Sequence, residues 1–186
     1  MKPEQDFRDL LLKDNQLVRA AGLTHQKIAE PMLAGFEALY KALASGKKLQ
    51  EGESIPFSYD GQEYSISPTH MGGHIKVLPI RTEEELAEYH KERLERLKKR
   101  PPGTAWLGAG VQGSVFHDEL FEDSIFTIQR KKDGKKLQKD MLTPHLIYRY
   151  GFYQGGDYRV DPKEVADFFG LKGDQAKAWE EAGCVE

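Results

Sequence analysis

Gly108, Gly110 and Gly113 stand in the spacing G-x-G-x-x-G within LGAGVQGSVF. Glycines so spaced let backbone amides close around a phosphate, because no Cβ blocks the approach. The cradle works when a strand leads into the glycines, a helix opens on the third, and an acidic residue follows about 20 positions on. Here Pro101, Pro102 and Gly103 leave only TAWL as a strand, and an acidic pair, Asp118-Glu119, comes next. The stretch therefore reads as a flexible turn, with Gly108, Gly110 and Gly113 retained as candidate anion contacts.

The same residues resemble the phosphate-covering loop of protein kinases, which lies in a hairpin and ends in glycine-x-valine, as Gly113-Ser114-Val115 does. That family follows the loop with a strand lysine that holds the phosphates. In FTIQRKK, Gln129 stands at that place, with Arg130 and Lys131 beside it. No HRD or DFG element follows, so the likeness ends with the loop and implies no kinase activity.

Metal chemistry is the second candidate. His70 and His74 frame HMGGH, and His117-Asp118-Glu119 adds an imidazole and carboxylates. Such a set can hold zinc with an open position for metal-assisted chemistry. Gly72-Gly73 opposes a helix there, so the spacing does not aim both rings one way, and nothing local brings His117 to the pair. Nucleophiles are poorly supported: Cys184 is near the end of the chain, and Ser114 lacks a G-x-S-x-G setting. No cofactor is expected, and the chain reads as non-enzymatic, with a metal-assisted or phosphate-directed enzyme using His70, His74 and His117 as one alternative.

Two stretches suit recognition instead. Arg130, Lys131, Lys132, Lys135, Lys136 and Lys139 cluster around RKKDGKK, at the expected tip of a hairpin. Lysines opposite one another across strands repel, so the cluster is either solvated or meets an anion; nucleic-acid binding through this ribbon is the other alternative, not the favoured one. The run YRYGFYQGGDYR supplies Tyr148, Arg149, Tyr150, Phe152, Tyr153, Tyr158 and Arg159. Tyrosine and arginine dominate interface energetics, and the glycines in the run imply a loop. This is the expected surface for a protein partner or for self-association.

The elements that must position these groups follow from periodicity. Residues 4–20 carry an amphipathic pattern ending at Gly22, and Thr24 can cap a second helix with Ile28, Met32, Phe36 and Leu39 on one face. Pro31 lies inside that helix. Asp60-Gly61 between alternating residues predicts a type I′ hairpin with Phe57 facing Tyr64 and Ile55 facing Ile66. HIKVLPIR at 74–81 suits a third strand; Thr82 and Glu85 form a capping box opening a helix to about residue 100. A second hairpin centred on Asp133-Gly134 is expected over 125–142. Thr143-Pro144 reads as cap and first turn of a short helix, Asp161-Pro162 as those of another, and a last helix runs from Asp174 to about Ala182. The final pair has the rhythm of a helix-turn-helix, but Asp174, Glu180 and Glu181 would repel phosphates.

The chain is 186 residues long with net charge −3 and one cysteine, so no global charge draws it to nucleic acid and no internal disulfide forms. No apolar run approaches the roughly 20 residues of a membrane span, and no signal-peptide pattern opens the chain. The expectation is one cytoplasmic α+β domain: a helical part at 1–48, hairpins and one helix at 55–142, and a helical part at 143–186, the sheet antiparallel and packed by amphipathic helices. Its expected function is binding of a protein partner, itself or an anionic ligand, with no membrane role.

Overall fold

In a computed structural model, the structure describes residues 7–47, 49, 53–70, 79–98, 112–116, 118, 120–122, 125–155 and 158–174. The elements are α1 (Phe7–Ala20), α2 (His25–Ala44), β1 (Ile55–Tyr59), β2 (Gln62–His70), α3 (Glu83–Lys98), β3 (Gln112–Gly113), β4 (Phe121–Glu122), β5 (Ile125–Arg130), β6 (Lys136–Asp140), α4 (Thr143–Tyr150) and α5 (Pro162–Phe169). The fold is α+β. Four strands form one antiparallel sheet in the order β1-β2-β5-β6, and β3 pairs β4 apart from it. Among the described residues no helix is long and apolar enough to cross a membrane.

The caps work by the expected chemistry. Thr24 Oγ1 accepts from Lys27 N–H at the start of α2. At α3, Glu85 N–H donates to Thr82 Oγ1 while Thr82 N–H donates to Glu85 Oε2, a reciprocal capping box. Asp161 caps α5 through Lys163 N–H, and Gly170 ends it at φ 65°. α4 departs from expectation: its N-cap position is Leu142, and Asp140 rather than Thr143 supplies the capping oxygen, taking the N–H groups of both Leu142 and Thr143. Residues 79–81 are not strand, which removes the described end of the third strand expected at 74–81. The rest of that strand, and all but Asp174 of the last expected helix, lie outside the described residues.

The alternation along the hairpins puts Ile55, Phe57, Tyr64, Ile66, Phe126, Ile128 and Leu137 on one face of the sheet, where they meet Ile28, Met32, Leu33, Phe36 and Leu39 of α2. Each such side chain contributes about 1.5–3 kcal/mol on burial. That packing carries Pro31, buried within α2, despite the missing hydrogen bond. Gly35 lets the helix approach closely: a Cβ there would lie 3.1 Å from Phe57 Cζ. A second cluster joins Ile80, Leu86, Tyr89, Leu120, Leu142, Leu146 and Phe152.

Candidate functional site

Both hairpins turn at the same end of the sheet, because β2 and β5 are antiparallel neighbours with Tyr64 opposite Arg130. The first turn is type I′, with Asp60 at φ 49° and Gly61 at φ 72°. The second differs from expectation. Gln129 pairs with Lys136, Arg130 N–H donates to Lys135 O, and Gly134 N–H donates to Arg130 O. The loop is therefore Lys131–Gly134, and of the Asp133-Gly134 pair only Gly134 (φ 71°) is left-handed.

Charge explains the longer loop. A two-residue turn at 133–134 would set Lys132 against Lys135 and Lys131 against Lys136, two like-charge pairs at contact distance. The observed register leaves Lys131 and Lys132 in the loop instead. Asp133 then organises the tip: its carboxylate takes Arg130 Nε at 2.9 Å, Arg130 Nη2 at 2.6 Å and Lys135 N–H at 3.2 Å. The Arg130 guanidinium beside it pulls the Asp133 carboxyl down to about 2. Arg130 also donates from Nη1 to Phe168 O at 2.6 Å and lies over the Phe168 ring, so it fastens the ribbon to α5.

The six cations singled out from the sequence thus divide. Arg130 is spent on Asp133 and α5, and Lys139 is half-buried opposite Phe126. Lys131, Lys132, Lys135 and Lys136 are exposed, and among the described residues none of their ammonium groups has a partner. Two shallow grooves flank the first turn. One of ≈ 540 Å³ is lined by Gly61, Gln62, Glu63, Lys131 and Lys132. The other, ≈ 400 Å³, is lined by Lys27, Tyr59, Asp60, Leu171 and Lys172. Lys27 Nζ holds Lys172 O at 2.8 Å, so this end gathers cations from α2, β6, the second turn and the segment after α5.

The aromatic-arginine run, expected to form a recognition surface, is used mostly inside the molecule, with some of its rings partly exposed. Phe152 and Tyr153 are buried in different clusters. Tyr148 packs half-buried against the first, and Tyr150 stacks on Phe116 at 3.9 Å between centroids and donates to Asp118 Oδ2. Arg149 pairs with Glu83, and Arg159 clamps the fully buried Asp14 through both terminal guanidinium nitrogens, Nη1 and Nη2. Tyr158 alone of the set is well exposed, at 60%. Gly151, left-handed at φ 62°, turns the chain back into the core immediately after α4.

Gly113 lies in β3, whereas Gly108 and Gly110 are outside the described residues. His74 and His117 are also outside them, and His70 ends β2. Among the described residues no three His, Cys, Asp or Glu side chains converge as metal ligands.

Sequence reasoning missed a buried polar chain. Gln154, at φ 60° and 2% exposed, donates from Nε2 to both Asp140 carboxylate oxygens and to Thr143 Oγ1, and its backbone carbonyl accepts from Arg159. The chain runs Asp14–Arg159–Gln154–Asp140–Thr143 and ties α1 to the β6–α4 corner. Nearby, His25 Nδ1 lies 3.1 Å from Tyr153 Oη. Burial, with Arg19 adding to it and Asp14 opposing, lowers the His25 pKa; burial, then Asp14, raises that of Tyr153. His145, against Phe36, is pushed down to about 4 by burial. Only Asp140, a capping residue type just before a Thr-Pro helix start, carried a local signal; Gln is not a residue type that favours the left-handed region. Comparison with known proteins finds no matching family model, no matching curated protein and no matching solved structure.

Proposed function

We propose that the protein is a binding module that holds an anionic partner at the ribbon end of its sheet. The observation that carries this reading is the four exposed lysines, Lys131, Lys132, Lys135 and Lys136, clustered at the second turn with no partner for their ammonium groups among the described residues while Arg130 beside them is fully employed. Internal pairing is available at this tip and is not extended to them. Four like charges held on a rigid turn repel one another, and an anion laid across the tip relieves that repulsion. The grooves on either side of Asp60-Gly61 give such a partner shape to follow.

The test is binding of two labelled polyanions, poly-glutamate and oligothymidylate, followed as salt rises. Four ionic contacts predict a fall of about 50-fold between 50 and 200 mM salt for the single-stranded nucleic-acid probe. Reversing the four lysines together to glutamate abolishes binding of either probe on this reading. Unchanged binding by that variant, with its melting temperature intact, removes the ribbon as the site and leaves its lysines as a solvated guard against edge aggregation.

A further inference from the structure

We propose that the outer edge of β6 accepts an extended acidic polypeptide segment as a fifth strand. This rests on the anionic-partner reading above and names the partner's class. The sheet has two edges, β1 and β6, and they are not alike. In antiparallel pairs the backbone groups of alternate residues point toward the neighbour and away from it. The bond from Arg130 N–H to Lys135 O sets that parity on the ribbon, and the one from Lys131 N–H to Glu63 O agrees with it across β2 and β5. Lys135, Leu137 and Lys139 therefore face β5, while Lys136 and Gln138 present N–H and C=O outward. Among the described residues neither has a backbone partner on that side.

The same parity at the first hairpin points Pro56 and Ser58 outward from β1. Proline has no N–H to donate, so β1 is closed to strand addition at that position. β6 has no proline, and among the described residues no strand pairs with its outer side.

Charge selects the occupant. Lys135, Lys136 and Lys139 line this edge, with Lys131 and Lys132 at its turn. A second copy of β6 pairing with the first would bring lysines against lysines. Its one carboxylate, Asp140, already accepts from Leu142 N–H, Thr143 N–H, Thr143 Oγ1 and Gln154 Nε2. An acidic strand instead meets the outward amides with its own backbone and the lysines with its side chains, the mode by which extended peptides join exposed sheet edges.

The probe is a fluorescein-labelled peptide of alternating glutamate and threonine, with oligothymidylate as comparator, measured against the wild type, Gln138→Pro, Gln138→Ala and the four-lysine reversal. Gln138→Pro deletes one outward donor without touching the ladder to β5, and proline is tolerated on an edge in that orientation. The expected result is peptide affinity at least about tenfold weaker in Gln138→Pro and unchanged in Gln138→Ala. Amide exchange on the wild type, slowed at Lys136 and Gln138 by saturating peptide, tests the same contact should the proline variant fail to fold. Wild-type peptide affinity in a folded Gln138→Pro, or unprotected amides under saturation, overturns the strand-addition proposal. If the lysine reversal still abolishes binding, the anionic-partner reading survives that result; if the reversal also binds normally, both fall. Binding of oligothymidylate without binding of the peptide overturns the acidic-strand proposal in favour of nucleic acid.

Discussion

The dipeptide Asp-Gly occurs at both turns of the sheet, and the chain uses it in two ways. At Asp60-Gly61 both residues are left-handed and together make the whole loop. At Asp133-Gly134 only the glycine is left-handed, the aspartate works through its side chain, and Lys131-Lys132 lengthen the loop. What differs is the flanking charge. Ser58 and Glu63 face each other beside the first turn without conflict, whereas a two-residue second turn would oppose lysines. A turn dipeptide therefore specifies a left-handed glycine, and the residues around it specify how many others join the loop.

The largest effect on this contrast comes from Arg130→Ala. It deletes the clamp on Asp133 and the bond to Phe168 O, and should cost about 3 kcal/mol in urea unfolding, given roughly 1.5–3 kcal/mol for a hydrogen bond to a charged group. Comparable loss in a variant of the exposed neighbour, Lys132→Ala, would deny Arg130 its special place. Next comes Gly61→Val, about 1–3 kcal/mol, since a β-branched residue must be held at φ 72°. Asp60→Gly should be nearly neutral while Asp133→Gly is destabilising, because only Asp133 acts through its carboxylate. Equal costs for the two aspartate changes would remove the distinction between the turns.

Acid sharpens the comparison further. His145 has a folded pKa of about 4, below its ordinary 6.5, so the unfolded chain takes up the proton first. Its contribution is fully present above about pH 6.5 and is lost as pH falls toward 4, amounting to about 3 kcal/mol. Asp133, lowered to about 2, acts in a separate window: its contribution is present above about pH 4 and disappears as pH falls toward 2. Urea midpoints against pH should therefore decline in two stages. Asp133→Asn should flatten the lower stage only, and a change in the upper stage would contradict the assignment.

A last test of the contrast is deletion of Lys131 and Lys132. That shortens the second loop to Asp133-Gly134 while keeping Gln129 opposite Lys136, so it converts the second turn toward the first. Two backbone bonds, Lys131 N–H to Glu63 O and Gly134 N–H to Arg130 O, are lost, and Asp133, now next to Arg130, gives up its clamp, so the cost should be about 2–3 kcal/mol. Affinity for polyanions should fall as well, and a calorimetric scan beside a salt titration separates that loss from the loss of stability.

Local pattern alone determined the helices α1, α2, α3 and α5, the capping box at Thr82 and Glu85, the pairing of Phe57 with Tyr64, and the antiparallel character of the sheet. Each depends on residues a few positions apart, whose periodicity and capping chemistry act before the chain is compact. Tertiary structure decided what the basic and aromatic stretches are for. Arg159 meets Asp14 across 145 residues, His25 meets Tyr153 across 128, and Arg130 meets Phe168 across 38. No local spacing encodes those partners, so composition marked Arg130, Arg149 and Arg159 as candidate surface contacts when packing had consumed them. The four lysines stayed outside because a strongly hydrated ammonium gains little from burial without a carboxylate in reach. The place of β6 at the end of the sheet, with Lys136 and Gln138 turned outward, emerged only once strand order and bond parity were known.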